Sequence, residues 1–159
     1  MKKKHKTIIR VCSWFLFVVY VVCMVYFLFF SEQFGRIPSD TYHYNLKPFA
    51  EIKRYLKHTE KIGSINVIIN LLGNVVCFMP FGFVIPILSV RQRRLWKVTL
   101  LSFLCSFVVE VTQLVSKLGA FDVDDLLLNT IGGFLGYILF ALCLGIMHII
   151  FPYKKNNKK

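Results

Sequence analysis

The sequence has few acidic residues and long stretches with almost no charge. It contains 8 Asp and Glu against 20 Lys and Arg, a formal net charge of +12. Val11–Phe30, Ile65–Leu88 and Leu126–Phe151 contain no formal charge, and Val98–Val115 contains a single acid, Glu110. Such blocks exclude an ordinary soluble domain, whose apolar residues are dispersed. A helix of about 20 residues crosses a bilayer core, so the sequence predicts an all-α membrane protein with four transmembrane helices.

The motifs of several common enzyme classes are also missing. No P-loop, GxGxxG or HExxH pattern occurs in the chain. None of the four His residues has a Ser or Cys partner at a spacing that suggests a nucleophilic triad. The five Cys residues fall within the apolar stretches without metal-site or redox spacing, so we predict no disulfide framework.

The positive charges are concentrated on one predicted side of the membrane. Residues 1–10, the loop 89–97 and the tail 152–159 together carry 13 Lys and Arg and no acid. The loop 31–64 and the turn 116–125 together hold seven basic and seven acidic residues. Because cytoplasmic loops carry the excess of Lys and Arg, we predict a multi-pass cell-membrane protein with both termini in the cytoplasm. We expect the basic clusters to meet anionic lipid headgroups and not nucleic acid.

The chain divides into four predicted segments. They are a basic N-terminus with the first transmembrane helix (1–30), an outer loop (31–64), a three-helix core (65–151) and a basic cytoplasmic tail (152–159). Within the outer loop, apolar residues recur at helical spacing after Pro48, which suits a first helical turn. This predicts a short amphipathic helix, which either lies on the outer membrane surface or caps the bundle and covers what lies beneath it.

Each of the last three predicted spans carries one face of polar or small residues, whereas the first carries none. At 100° per residue the faces are Asn66, Asn70, Gly73, Asn74 and Cys77; Ser102, Ser106, Glu110, Gln113 and Lys117; and Asp122, Asp125, Asn129, Gly132, Gly133 and Gly136. Asp124 is predicted to point away from the third face. With a rise of about 1.5 Å per residue, the three faces meet in the outer half of the bilayer. The sequence therefore predicts a convergent polar site that is open to the exterior.

The acids of this site are the candidates for chemistry. An acid within a span costs a few kcal/mol or more and usually marks a function, which singles out Glu110. The candidate catalytic residues are Glu110, Asp122 and Asp125, and the predicted binding residues are Asn70, Asn74, Glu110, Gln113, Asp122, Asp125 and Asn129. One candidate ligand is a divalent cation held by hard oxygen ligands and presented to phosphate headgroups. Another is a sugar, amide or peptide group bound directly. Asn and Gln also join helices in membranes, so a purely structural layer stays open.

Two prolines fall inside the second predicted span. Pro80 lacks a backbone N–H and clashes with the preceding turn, so we expect it to kink or break the helix.

Four stretches resemble successive signatures of the VanZ-like family, in the same order. They are NLKPF (45–49), NLLGNVVCFMPFGFVIP (70–86), EVTQ (110–113) and FDVDDLLLNTIGGFLGY (121–137). The resemblance places the family's polar positions on Asn45, Asn70, Asn74, Glu110, Gln113, Asp122, Asp125 and Asn129. Many members have an Arg shortly before the FDxDD stretch, where this chain has Lys117. The resemblance implies a small polytopic membrane protein, typical of Gram-positive bacteria. The founding member confers low-level resistance to the glycopeptide teicoplanin, but no agreed biochemical activity accompanies the family.

Together, these features predict a VanZ-like membrane protein with an outward-facing polar site between helices 2–4. We expect this site to bind a lipid or an envelope component such as a cell-wall precursor, and so to modulate susceptibility to teicoplanin-type glycopeptides. Two alternatives stay open, so whether the chain is an enzyme is undecided at this point. One is a metal-dependent intramembrane enzyme acting on a lipid-linked substrate through Glu110, Asp122 and Asp125. The other is a non-catalytic structural membrane subunit.

Overall fold

The structure is a computed structural model that describes residues 3–30, 41–58 and 63–150. In these ranges the α-helices are α1 (Lys3–Phe30), α2 (Ala50–Lys57), α3 (Ser64–Leu88), α4 (Leu95–Ser116) and α5 (Val123–Ile150). A short 3-10 helix, Val90–Gln92, links α3 to α4, and two strands are present, β1 (His43–Asn45) and β2 (Ala120–Asp122). The predicted basic tail 152–159 and the stretches 31–40 and 59–62 of the predicted outer loop lie outside the described residues, as does the side chain of Asn66.

Three helices have the length and composition to cross a membrane. They are Val67–Leu88 in α3, Leu95–Ser116 in α4 and Val123–Ile150 in α5. These correspond to the second, third and fourth predicted spans. The first helix contains a shorter apolar stretch, Val11–Phe27, so the first span stays a prediction. The helical character of the fold and its three long apolar helices are thereby confirmed.

The two strands are a departure from the predicted all-α fold. They pair in parallel, with His43 opposite Ala120 and Asn45 opposite Asp122. Each strand has three residues, which is too short for an alternating pattern to indicate it in the sequence. The pairing ties the loop before α2 to the residues that lead into α5.

Helix α5 lies between α3 and α4 and packs closely against both. A Cβ atom added at Gly132 would overlap the carbonyl oxygen of Val75, and one added at Gly136 would overlap that of Met79. Gly82 of α3 meets the backbone of Gly133 in the same way. Small residues allow helix backbones to approach in a membrane, where there is no hydrophobic drive to associate. The glycines thus set the distance at which α3 and α5 cross.

Helix α1 packs against α3 near Pro80. The hydroxyl of Tyr20 donates a hydrogen bond to the carbonyl oxygen of Cys77, at 2.7 Å, and Met24 is buried beside Phe78. Helix α3 runs through Pro80 and Pro86 as one element, so the helix is not broken there and the kink stays a prediction. Proline disturbs the hydrogen bonds of the turn before it, and the Tyr20 hydroxyl gives a carbonyl in that turn an additional partner.

Candidate functional site

The polar faces of α4 and α5 contact each other within the same molecule. Glu110, Gln113 and Asn129 are each at most 1% exposed. The Asn129 amide nitrogen donates to the Ser106 hydroxyl at 2.9 Å, which joins the two helices one turn below Glu110. A hydrogen bond between buried side chains is worth about 1 kcal/mol net, but an unmade one costs more. This layer therefore fixes how α4 and α5 face each other.

Glu110 connects this buried layer to the start of α5. Its Oε2 atom accepts a hydrogen bond from the backbone N–H of Asp122, at 3.0 Å. Strand β2 ends at Asp122, and α5 begins at the next residue, Val123. This bond gives the buried N–H an acceptor, so Glu110 has a positioning contact at the point where α5 begins.

Asp122 is the junction between the two strands and α5. Its Oδ1 accepts from the backbone N–H of Asp124, at 2.7 Å, and from the side-chain amide of Asn45, at 3.2 Å. Asp122 is 8% exposed, and burial raises the pKa of its carboxyl above the ordinary value, although these hydrogen bonds act in the opposite direction. The carboxyl is therefore held in place by hydrogen bonds, and Arg54 also favours its charged form.

The prediction that Asp124 points away from the site is wrong, because Asp124 lines the cavity. It is 1% exposed, and its carboxylate accepts the backbone N–H groups of Phe49, Glu51 and Ile52. These groups belong to the N-terminus of α2, where helical N–H groups have no partner within the helix. A negative charge is also favourable at that end of a helix. Asp124 thus acts as an N-cap supplied from another part of the chain, and it anchors α2 over the bundle.

A cavity of about 200 Å³ lies between α2, α3 and the start of α5. Its lining residues are Glu51, Ile52, Arg54, Tyr55, Asn70, Leu71, Asn74, Ala120, Asp122, Asp124, Asp125 and Leu128. The Asn74 amide donates to Oδ1 of Asp125 across the interface of α3 and α5. Residues of α2 line this cavity, as expected if the loop helix caps the bundle, and its position relative to the membrane surface stays a prediction.

Helix α2 brings its own charges to the cavity. Arg54 pairs with Glu51, and their side chains are 58% and 22% exposed respectively. Burial raises the pKa of Glu51, whereas Arg54 acts to lower it. Burial likewise raises the pKa of Tyr55. Among the charged residues of the lining, Arg54 is exposed, whereas Asp122 and Asp124 are buried.

The predicted binding residues separate into two groups. Those that line the cavity are Asn70, Asn74, Asp122 and Asp125. Those that are buried between α4 and α5 without lining it are Glu110, Gln113 and Asn129. Glu51, Arg54 and Tyr55 also line the cavity and were not predicted as binding residues. Their helical spacing was visible, but no local signal places α2 above the cavity, because Asp124 anchors it from more than 70 residues away.

The sequence suggested a possible divalent cation and placed the basic residue Lys117 on a polar face. Among the described residues, no group of three or more His, Cys, Asp or Glu side chains has the arrangement of a metal site. Lys117 was assigned to the polar face of the third span, but it ends α4 in a left-handed conformation, with φ of 57°. Its Nζ lies 5.0 Å from the ring centre of Tyr42, and Lys117 does not line the cavity. The basic residue of the cavity lining is Arg54.

Comparison with known proteins finds similarity over most of the chain. The VanZ/LLP1 family model matches residues 17–144, a range that includes all of the cavity lining. The chain is 27% identical over 138 residues to Protein VanZ of Enterococcus faecium, a match that covers 84% of this chain and 76% of that protein. No solved structure matches it.

Proposed function

Because the chain belongs to the VanZ/LLP1 family, we propose that it modulates susceptibility to teicoplanin-type glycopeptides by binding a lipid or another cell-envelope component. The binding site of this proposal is the polar cavity beneath α2. Asn70, Asn74 and Asp125 contact the bound group together with Asp122. Glu110, Gln113 and Asn129 hold the helices that present these side chains.

The observation that carries the proposal is a polar cavity at one end of the bundle, which is separate from the buried polar layer between α4 and α5. Asn74, Asp122 and Asp124 are all buried, and a buried polar or charged group is costly unless it is paired. Three helices could associate through glycines alone, so packing does not require this many acids. Asp124 anchors α2, and a site for a polar group supplies a reason for the presence of Asp122, Asp125 and Asn70.

The proposed topology has four spans, with α1 as the first and both termini in the cytoplasm. The cavity then opens on the outer side, where the cell-wall precursors and the outer leaflet are found. The charge distribution supports this orientation, because the acid-free basic segments all fall on the opposite side. A cysteine introduced at Lys57 is expected to react with a membrane-impermeant maleimide in intact cells, and one introduced at Arg91 only after lysis. The reverse pattern would contradict the orientation.

We do not propose a metal-dependent enzyme, because no group of three or more His, Cys, Asp or Glu side chains among the described residues could hold a metal ion. A complementation experiment distinguishes the binding proposal from the alternative that the chain is a non-catalytic structural subunit. Bacteria that lack the protein are complemented with the wild-type chain or with Asp125→Asn or Asn70→Ala, and the minimum inhibitory concentration of teicoplanin is measured. We expect both variants to abolish the protection that the wild type gives, while reaching the membrane in normal amounts.

Lys53→Gln is the matched control, since Lys53 is exposed on α2 and does not line the cavity. It is expected to protect as the wild type does. If both cavity variants also protect fully, the binding proposal is wrong and a structural role is favoured.

A further inference from the structure

An apolar groove of about 470 Å³ lies between α4 and α5, on the half of α4 that is farther from the start of α5. Leu95, Trp96, Leu100 and Phe103 of α4 form one wall, and Phe134 of α5 contributes to the other. The four side chains of α4 are all exposed. The groove is therefore open to the surroundings of the helix pair.

The two hydroxyl groups of the groove lining do not make it polar. Thr99 donates to the carbonyl oxygen of Leu95 at 3.0 Å, and Thr130 donates to that of Leu126 at 2.7 Å. Each hydroxyl is satisfied within its own helix, so the groove offers hydrocarbon to its occupant. From Leu95 to Phe103 the helix rises about 12 Å, which is close to one leaflet, half of a hydrocarbon core ~30 Å thick. These dimensions suit a lipid acyl chain.

Positive charge is concentrated at the end of this groove where α4 begins. The loop 89–97 carries four basic residues, whereas residues 61–109 and 126–159 contain no Asp or Glu. Glu110, the one acid of α4, is 15 residues from Leu95 and therefore about 22 Å along the helix. The charge at this end of the helix pair is therefore of one sign.

Lys97 connects this positive charge to the groove. Its Nζ lies 5.7 Å from the centre of the Trp96 ring, which lines the groove. The same Nζ donates to the backbone carbonyl of Arg91 at 3.2 Å. An ammonium has three N–H donors, so Lys97 can also contact a phosphate group. A cation beside a tryptophan at the end of a hydrocarbon groove is complementary to a lipid with a negative headgroup.

From this arrangement we infer that the groove binds one anionic phospholipid, with an acyl chain between α4 and α5 and the phosphate against Lys97 and Arg94. Such a lipid joins hydrocarbon to negative charge, and the groove and its basic end present the complementary pair of surfaces. This site is separate from the polar cavity beneath α2, so the inference does not depend on the proposed function.

Fluorescence quenching can locate the acyl chain. The protein has two Trp residues, so Trp14→Phe leaves Trp96 as the probe of the groove. The full chain with this substitution is reconstituted in phosphatidylcholine vesicles that contain a small fraction of either phosphatidylglycerol or phosphatidylcholine with brominated acyl chains. Bromine quenches Trp fluorescence on contact, so the quenching reports which lipid occupies the groove. Since each basic residue near a membrane surface contributes roughly a 5-fold factor, we expect phosphatidylglycerol to be preferred by about 5-fold or more.

The basic residues are tested in the same assay. The double variant Arg94→Gln, Lys97→Gln is expected to remove the preference for phosphatidylglycerol. Its matched control is Lys53→Gln, Lys57→Gln, which removes two charges from exposed positions of α2 and is expected to keep the preference.

The groove itself is tested by filling it. Thr99→Phe leaves the charge unchanged, and we expect it to lose the one phosphatidylglycerol molecule that native mass spectrometry should find on the wild type in detergent. Thr112→Phe is the matched control, because Thr112 is exposed on α4 outside the groove and its hydroxyl also donates to a carbonyl of its own helix. The melting temperature of each variant shows whether it is folded.

Three results would overturn the inference. The first is equal quenching of Trp96 by the two brominated lipids. The second is a folded Thr99→Phe protein that retains phosphatidylglycerol as Thr112→Phe does, because the lipid would then lie elsewhere. The third is a lipid-free dimer that Thr99→Phe dissociates, since the groove would then hold a second copy of the chain. If Thr99→Phe does not fold, the two charge variants still decide the outcome.

Discussion

Glu110 accepts a hydrogen bond from the backbone N–H of Asp122, and this contact joins the buried layer of α4 to the entrance of α5. Asp122 in turn accepts from the N–H of Asp124, whose carboxylate holds the N-terminus of α2. A chain of three acids thus runs from the bundle interior to the helix that covers the cavity. Each link is a carboxylate that accepts a backbone N–H, so each acid positions the segment that carries the next.

The first prediction concerns Glu110. Glu110→Leu leaves the buried N–H of Asp122 without its acceptor, at a cost of about 1–3 kcal/mol, whereas Glu110→Gln retains an acceptor oxygen and loses less. The melting temperature of each variant is measured in detergent, with circular dichroism as the probe of unfolding. Thr112→Val on the exposed side of α4 is the control and is expected to be nearly neutral. Equal melting temperatures for Leu and Gln at position 110 would contradict the positioning contact.

A second prediction concerns the anchor of α2. Asp124→Ala removes the acceptor of three backbone N–H groups, and loss of an N-cap costs roughly 1–2 kcal/mol. We expect amide hydrogen exchange in α2 to accelerate by roughly 5- to 30-fold, since local opening follows that free energy. The control is Lys57→Ala, which removes an exposed charge from the same helix without touching the anchor. Unchanged exchange in Asp124→Ala would show that α2 is held by other contacts.

Much of the fold follows from local patterns in the sequence. The three long apolar helices and the family were predicted correctly, because apolar run length and sequence motifs are read within single elements. The parallel strand pair and the position of α2 were not predicted. Both depend on contacts between residues more than 70 positions apart, which no local pattern encodes.

The residues of the candidate site also divide into those that a local pattern predicts and those that depend on distant contacts. Asp122 and Asp125, which share one face of a regular helix that starts at Asp122, both line the cavity, but so does Asp124, which lies off that face. In the structure Asp122 is in a strand, and Asp124 reaches a segment outside the core. Asp124 is within α5, and it lines the cavity because its carboxylate meets the N-terminus of α2, a contact that no helical angle encodes.

The third prediction is a pH dependence of stability. Burial raises the pKa of Asp122 in the folded protein, so its contribution to stability is complete below the unfolded pKa of about 3.9 and is lost as pH rises through the folded value. Without ligand, the melting temperature should rise on acidification from pH 7 towards the raised pKa. The charged groups near this carboxyl are Arg54, Glu51, Glu110, Asp124 and Asp125.

Glu51 has a raised pKa as well and contributes with the same sign. The double variant Asp122→Asn, Glu51→Gln is therefore expected to flatten the dependence, by at most about 1.4 kcal/mol per pH unit for each group removed. Lys57→Gln should retain the wild-type slope. A slope in the double variant equal to that of the wild type would assign the effect to other residues.

The last prediction compares two glycines of the same helix. At Gly132 an added Cβ would overlap the carbonyl oxygen of Val75, so Gly132→Ala must push α3 and α5 apart, at a cost of about 1–3 kcal/mol. At Gly145 an added Cβ meets nothing within 4 Å, so Gly145→Ala should be neutral or, through helix propensity, stabilising by up to about 1 kcal/mol. The measurement is the unfolding free energy of each variant in the same micelles. Because the two substitutions are chemically identical and share one helix, a similar effect at both positions would mean that the close crossing of α3 and α5 does not limit stability.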